Sequence, residues 1–157
     1  MAFPGTKDSY NALFTEASSD MIGRLSIWAS LHPDKAGGGQ RFNVADSAVP
    51  SSMSIRWPQL AAYFGLIGVG PEDGVVEKLL PSQYVQKHQQ ILQSRCKRPA
   101  EIFKAAFLDQ YGFWLAKDRQ FSMVKARKAG FTLDVDPSLA WIEAFDRLRA
   151  AGMLPVL

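Results

Sequence analysis

Between residues 19 and 31 the apolar side chains Met21, Leu25, Trp28 and Leu31 recur at intervals of four, three and three, which predicts a helix with one inward face. Ser18, Ser19 and Asp20 offer N-caps at its start. His32-Pro33 ends it, and "DKAGGG" (34–39) is a flexible turn. The pattern then changes. Arg41-Phe42-Asn43-Val44-Ala45-Asp46 is apolar in its middle and closed by an aspartate, which predicts a short buried β-strand over 41–45. A lone strand cannot satisfy its own backbone N–H and C=O groups, so its neighbours must be found.

The rest of the chain supplies few. Residues 1–15 read as irregular, with Asn11 resisting helix. A helix is predicted from Arg56 to Phe64, with Trp57, Leu60, Ala61 and Phe64 on one face and Pro58 in its first turn. "GLIGVGPEDG" (65–74) follows a helix and meets Pro71. A dinucleotide fingerprint must instead follow a strand and open a helix, so a turn is predicted here. Helices are expected over 82–95, led by Pro81-Ser82, and over 100–115, where Ile102, Phe103, Ala106, Phe107 and Tyr111 share a side. A shorter one at 119–129 stops at Gly130, and "FTLDVD" (131–136) is a brief extended segment. The last helix takes Asp136 as N-cap and Pro137 as first residue, with Trp141, Phe145 and Leu148 facing inward. The predicted fold is mainly α with one or two short β-strands, as a single domain over 1–157.

With 157 residues and 47% hydrophobic content the chain can bury a real core, and 21% charged residues is ordinary for a globular protein. No run of 18 apolar residues is present, and "MAFPGTKDSYN" has neither a basic nor an apolar leader region. The single Cys96 excludes an internal disulfide and fits a reducing compartment. A soluble, cytoplasmic protein is expected. Lys and Arg number 18 against 15 Asp and Glu, gathered in "RCKR" (95–98) and "KDRQFSMVKARK" (117–128). Although Phe121 lies among these cations, Met123, Val124 and Ala126 alternate with them as on a solvated helix face, and nucleic acid is not an expected partner.

His32, His88 and Cys96 are too scattered to form a metal site, and no serine sits in a G-x-S-x-G elbow. Asp109, Asp118 and Asp134 read as helix caps or ion pairs. The aromatic residues are richer in promise. Trp57, Phe64, Phe107, Trp114 and Phe121 are candidates for an apolar substrate wall, with Tyr84, His88 and Tyr111 as the polar, catalytic tips.

Three blocks, "RFNVAD…RWPQLAAYFGLIGVGPEDG", "DRQFSMVKARKAGF" and "WIEAFDRLRAAGMLP", together resemble the C-terminal portion of PRISE-like extended short-chain dehydrogenases/reductases, including their fungal relatives labelled NAD-dependent epimerases. The resemblance runs from about Phe3 to Pro155. It implies a mostly helical, cap-like region that shapes a substrate pocket, with the "RFNVAD" strand belonging at one side of a parallel sheet. The family's NADP-binding glycine turn and its Tyr-x-x-x-Lys pair have no counterpart: Tyr84-Val85-Gln86-Lys87 is one residue short, and i, i+3 misaims the ammonium. The expectation is a standalone, truncated relative without a cofactor. It would act as a cyclase or isomerase of fungal secondary metabolism, in its sharpest form a Diels–Alder-type pericyclase acting on a small apolar terpenoid or polyketide. Two alternatives stand beside it. One is a non-catalytic binding or interaction module, with a homodimer formed through the unpaired "RFNVAD" edge. The other is the substrate-domain half of an NADP-dependent reductase.

Overall fold

The computed structural model describes residues 1–71, 79–96, 108–110 and 116–155. Among these the regular structure is helical: α1 (Lys7–Asn11), α2 (Ser19–Leu31), α3 (Pro33–Ala36), α4 (Met53–Tyr63), α5 (Pro81–Lys87), α6 (Gln89–Arg95), a 3-10 turn (Leu108–Gln110), α7 (Val124–Ala129) and α8 (Pro137–Ala150). Most of the helix expected at 100–115 lies outside the described residues. The chain divides into two compact units, the first being Met1–Ala12, Ser52–Lys117 and Ile142–Leu157, the second Leu13–Ser51 and Asp118–Trp141.

In the second unit α2 starts where its caps predict, with the Ser18 hydroxyl accepting from the Met21 N–H. Met21 and Leu25 are buried and pack with Ala45, Met123, Ala126 and Phe131, flanked by Trp28, Phe42, Val44, Leu133 and Val135. Leu31 departs from the predicted face and is exposed. The strand expected at 41–45 is absent: among the described residues there is no strand, only the isolated bridges Ala2–Val69, Phe14–Ser51 and Phe14–Arg119. Side chains from Arg41 to Val44 still alternate outward and inward as in a strand, and the alternation breaks at the buried Ala45. What is missing is a ladder: among the described residues no backbone group of Phe42–Ala45 makes a hydrogen bond. "FTLDVD" behaves alike. Its side chains alternate, yet the Phe131 and Leu133 carbonyls accept from Arg127 Nη1 (2.9 and 2.8 Å) rather than from another strand.

That use of Arg127 corrects the reading of 117–128 as a simple solvated face, since Lys125 also lies 4.9 Å above the Phe42 ring. The helix expected from 119 begins only at Val124, because Arg119 is engaged with Leu13, Thr15 and Phe14. It ends at Gly130, whose φ of +107° is the left-handed conformation a glycine cap provides.

In the first unit the N-terminus is not wholly irregular. Thr6 and Ser9 cap each other, and this reciprocal box starts α1 despite Asn11. Phe3 is buried between Tyr10 and Trp57, and Trp57 Nε1 donates to the Met1 carbonyl (3.0 Å). Helix α4 begins at Met53, three residues earlier than expected, so Pro58 lies inside it rather than in its first turn. Gly68 returns the chain onto α4, where a Cβ would lie 2.8 Å from Pro58 Cα and from the Trp57 carbonyl oxygen. The helix predicted over 82–95 is interrupted at His88 (φ −108°, ψ 16°), giving α5 and α6. On α8, Phe145 packs against Tyr63 and Phe64, while Leu148, expected inward, is exposed.

Candidate functional site

Two constellations in the first unit gather polar and aromatic side chains. The interruption at His88 creates the first. His88 ends α5 and precedes α6, and its ring packs against that of Tyr84 one turn earlier, with centroids 4.5 Å apart. Tyr84 is exposed and His88 half-buried. Among the described residues neither the Tyr84 hydroxyl nor the His88 ring nitrogens have a hydrogen-bond partner, so a phenol and an imidazole stand side by side with their polar atoms available. Upstream, α5 is anchored by the Asp109 carboxylate, which accepts from the Ser82 N–H (2.7 Å) and hydroxyl (2.5 Å).

The second constellation joins α4 to α8. The Tyr63 hydroxyl donates to Asp146 Oδ1 and accepts from Arg149 Nη1 (2.7 Å), and Arg149 also pairs with Asp146 (3.3 Å). The Arg149 guanidinium lies 5.0 Å over the Tyr63 ring, and Phe64 and Phe145 complete an aromatic wall. The hydrogen bond to Asp146 raises the Tyr63 pKa above its ordinary 10.0, desolvation adding in the same direction and Arg149 opposing. Every polar atom of this phenol is engaged, which makes it a brace between helices.

Of the residues singled out from the sequence, the structure brings Tyr84 and His88 together. Phe64 belongs to the Tyr63 cluster and Trp57 packs on the N-terminal segment. Phe121, in the second unit, donates its N–H to the Thr15 hydroxyl (2.9 Å) with its ring exposed. Tyr111, Phe107 and Trp114 lie outside the described residues. Asp146 and Arg149 escaped sequence reading, and their i, i+3 spacing on a predicted helix was the available signal. Of the acidic residues read as caps or pairs, Asp134 pairs with Arg127 (2.6 Å), whereas Asp118 accepts from the loop N–H of Leu13 (2.8 Å).

A dinucleotide needs a glycine turn that follows a strand and opens a helix. Here the stretch from Gly65 to Gly70 follows α4, and Gly68 serves close packing onto that helix. The described residues do not fit such a cofactor. Nor do they place three or more His, Cys, Asp or Glu side chains where a metal ion could be held. No helix among them is long and apolar enough to cross a membrane.

Residues 1–155 match the family described as PRISE-like Rossmann-fold domain. The short chain dehydrogenase sirS of Leptosphaeria maculans is 28% identical over 98% of this chain and 41% of its own length. The short chain dehydrogenase ausT of Aspergillus calidoustus is 36% identical over 41% of the chain and 16% of its own length. The (S)-8-oxocitronellyl enol synthase of Catharanthus roseus is 25% identical over 99% of the chain and 40% of its own length. The chain thus spans about two fifths of the length of the relatives that it matches from end to end. By its match over 155 residues, the chain belongs to the PRISE-like Rossmann-fold family.

Proposed function

We propose that this chain is the substrate-side part of a PRISE-like protein and promotes cyclisation or isomerisation of a small apolar molecule carrying a conjugated carbonyl, without redox chemistry. The observation that carries the reading is the Tyr84–His88 pair, a phenol and an imidazole in ring contact with no partner among the described residues for their polar atoms. Hydrogen bonding from either to a carbonyl oxygen draws electron density from the attached π-system, which favours enolisation and ring closure alike. Holding the two reacting ends of one molecule together adds the larger effect, since orientation alone can lower a barrier by roughly 7–11 kcal/mol. Tyr111 is proposed with them as a further catalytic polar tip, and Phe107 and Trp114 as apolar lining.

The relatives support the chemical class. One is named an enol synthase, and others are fungal proteins named short chain dehydrogenases. A Diels–Alder-type closure is the sharpest form of the proposal. The second reading, the substrate half of an NADP-dependent reductase, is favoured by relatives named short chain dehydrogenases that are more than twice this chain's length.

The test compares the purified chain with Tyr84→Phe and His88→Ala on linear terpenoid and polyketide enals in buffer without nucleotide. Product is expected from the parent chain and should fall by roughly 10²-fold in the variants at unchanged melting temperature. Equal rates in all three proteins would remove the pair from the chemistry.

A further inference from the structure

Helix α5, which carries Tyr84 and closes at His88, has seven residues and is too short to be stable in water by itself. Its backbone fixes how the two rings stand relative to its start. The Leu80 carbonyl accepts from the Tyr84 N–H (2.9 Å), and the Tyr84 carbonyl accepts from the His88 N–H (3.1 Å). One run of helical bonds thus joins the first turn to both rings. That first turn lacks an ordinary cap, because its N-cap is Leu80, whose side chain has no oxygen to offer. The Gln83 side chain accepts from the Leu80 N–H (2.9 Å), which leaves the Ser82 N–H to be met from elsewhere. Asp109, 27 positions on in the 3-10 turn, meets it. Its Oδ1 accepts from that N–H (2.7 Å) and its Oδ2 from the Ser82 hydroxyl (2.5 Å). Two oxygens on one residue restrain the helix start in direction as well as in place, and bonds to an ionised carboxylate are the stronger kind.

We propose that Asp109 is a positioning residue for the Tyr84–His88 pair: by holding Ser82 it sets the direction in which phenol and imidazole are presented together to a carbonyl oxygen. The inference rests on the function proposed above for that pair, and it adds a residue that acts through Ser82 rather than on the substrate. Two features favour positioning over capping alone. The ring contact, with centroids 4.5 Å apart, spans one helical turn, and residues four apart face each other only while that turn stays wound. Tyr84 follows Ser82 by two residues, so fraying of the first turn releases the phenol directly. The second feature is the source of the cap. In α2 the Ser18 hydroxyl serves the Met21 N–H from within the same turn, whereas α5 draws its carboxylate from the 3-10 turn packed beside it. A distant donor of this kind ties the helix to a second element as well as ending it.

The test records the ring resonances of the chain's two histidines by NMR in the parent, Asp109→Ala, Ser82→Ala and Asp109→Asn proteins. His88 lies against the Tyr84 ring, and His32, stacked on Trp28 in the second unit with centroids 4.9 Å apart, is the internal control. In Asp109→Ala the His88 resonances should lose most of their ring-current displacement while those of His32 stay in place. Ser82→Ala, which removes the hydroxyl and keeps the N–H, should lose part of it and carries the test if Asp109→Ala does not fold. Asp109→Asn, which keeps an oxygen for the N–H, should retain more than Asp109→Ala. With a linear conjugated enal, kcat should fall about tenfold in Asp109→Ala while KM stays within about twofold of the parent. The inference is overturned if the His88 resonances keep their parent positions in Asp109→Ala and Ser82→Ala, or if His32 shifts as far as His88 in Ser82→Ala. A parent chain that converts no enal, yet whose His88 displacement is lost in Asp109→Ala, overturns the proposed reaction and upholds the positioning of the pair.

Discussion

Asp46 is among the most deeply buried side chains described, 1% exposed, and its surroundings explain how a carboxylate is tolerated there. Its two oxygens accept from the Ser18 N–H at 3.0 Å each, and Oδ1 also accepts from the Ser18 hydroxyl at 2.7 Å. Ser18 in turn caps α2, so the carboxylate sits just beyond the positive end of that helix's dipole. Asp46→Ala leaves those donors buried and unpaired and should cost about 2–3 kcal/mol in urea unfolding; a loss below about 0.5 kcal/mol would show that the clamp is not needed. Tyr63 allows a prediction in pH. Its pKa is raised in the folded chain by Asp146 and lies at the ordinary 10.0 when unfolded. Above pH 10.0 the unfolded chain releases this proton first, so the phenol's contribution to stability is complete below that pH and is lost as pH rises through the higher folded value. Tyr63→Phe should therefore flatten the alkaline fall in melting temperature. An unchanged alkaline slope would remove Tyr63 from the linkage.

At the scale of elements, Arg127 substitutes for a ladder by tying two carbonyls of the 131–135 segment and Asp134, and Asp134 accepts in turn from the Ala48 N–H (3.1 Å). Arg127→Met keeps most of the apolar stem and removes those donors, and about 1–3 kcal/mol of stability should go with them in chemical denaturation. Gly130 and Gly68 separate two costs of adding a methyl group. At Gly130 a Cβ meets only ordinary contacts at 3.8 Å, so Gly130→Ala should cost about 1 kcal/mol through its left-handed φ alone. At Gly68 the obstacle is the backbone of α4 itself at 2.8 Å, and Gly68→Ala should lower the melting temperature by more. Equal losses would contradict this separation. These elements also show what the sequence makes legible. Ser18, Asp136-Pro137 and Gly130 mark helix ends with groups that satisfy orphan backbone atoms locally, and α2, α7 and α8 end or begin there. The apolar middle of 41–45 was equally visible, but a ladder depends on a second segment that no local pattern reveals. The break at His88 carries no glycine or proline to announce it, and the Tyr63 brace joins residues 83 and 86 positions apart in sequence.

At the scale of the whole molecule, the described residues form two helical units with side-chain clamps where a sheet protein would have strand pairing. The family match spans nearly the full chain, and the chain covers about two fifths of its full-span relatives. The described glycines from Gly65 to Gly70 follow a helix, and Tyr84 and His88 lie in ring contact at the junction of α5 and α6. In the function proposed above, this polypeptide acts by shape and by hydrogen bonding to a carbonyl, with no hydride passing to its substrate. The most direct measurement incubates the purified chain with a linear conjugated enal in the presence and absence of deuteride-labelled NADPH and determines the product mass. The account predicts a cyclised or isomerised product of the same mass as its precursor, formed at the same rate in both samples. Product that appears only with the nucleotide and carries deuterium would contradict it.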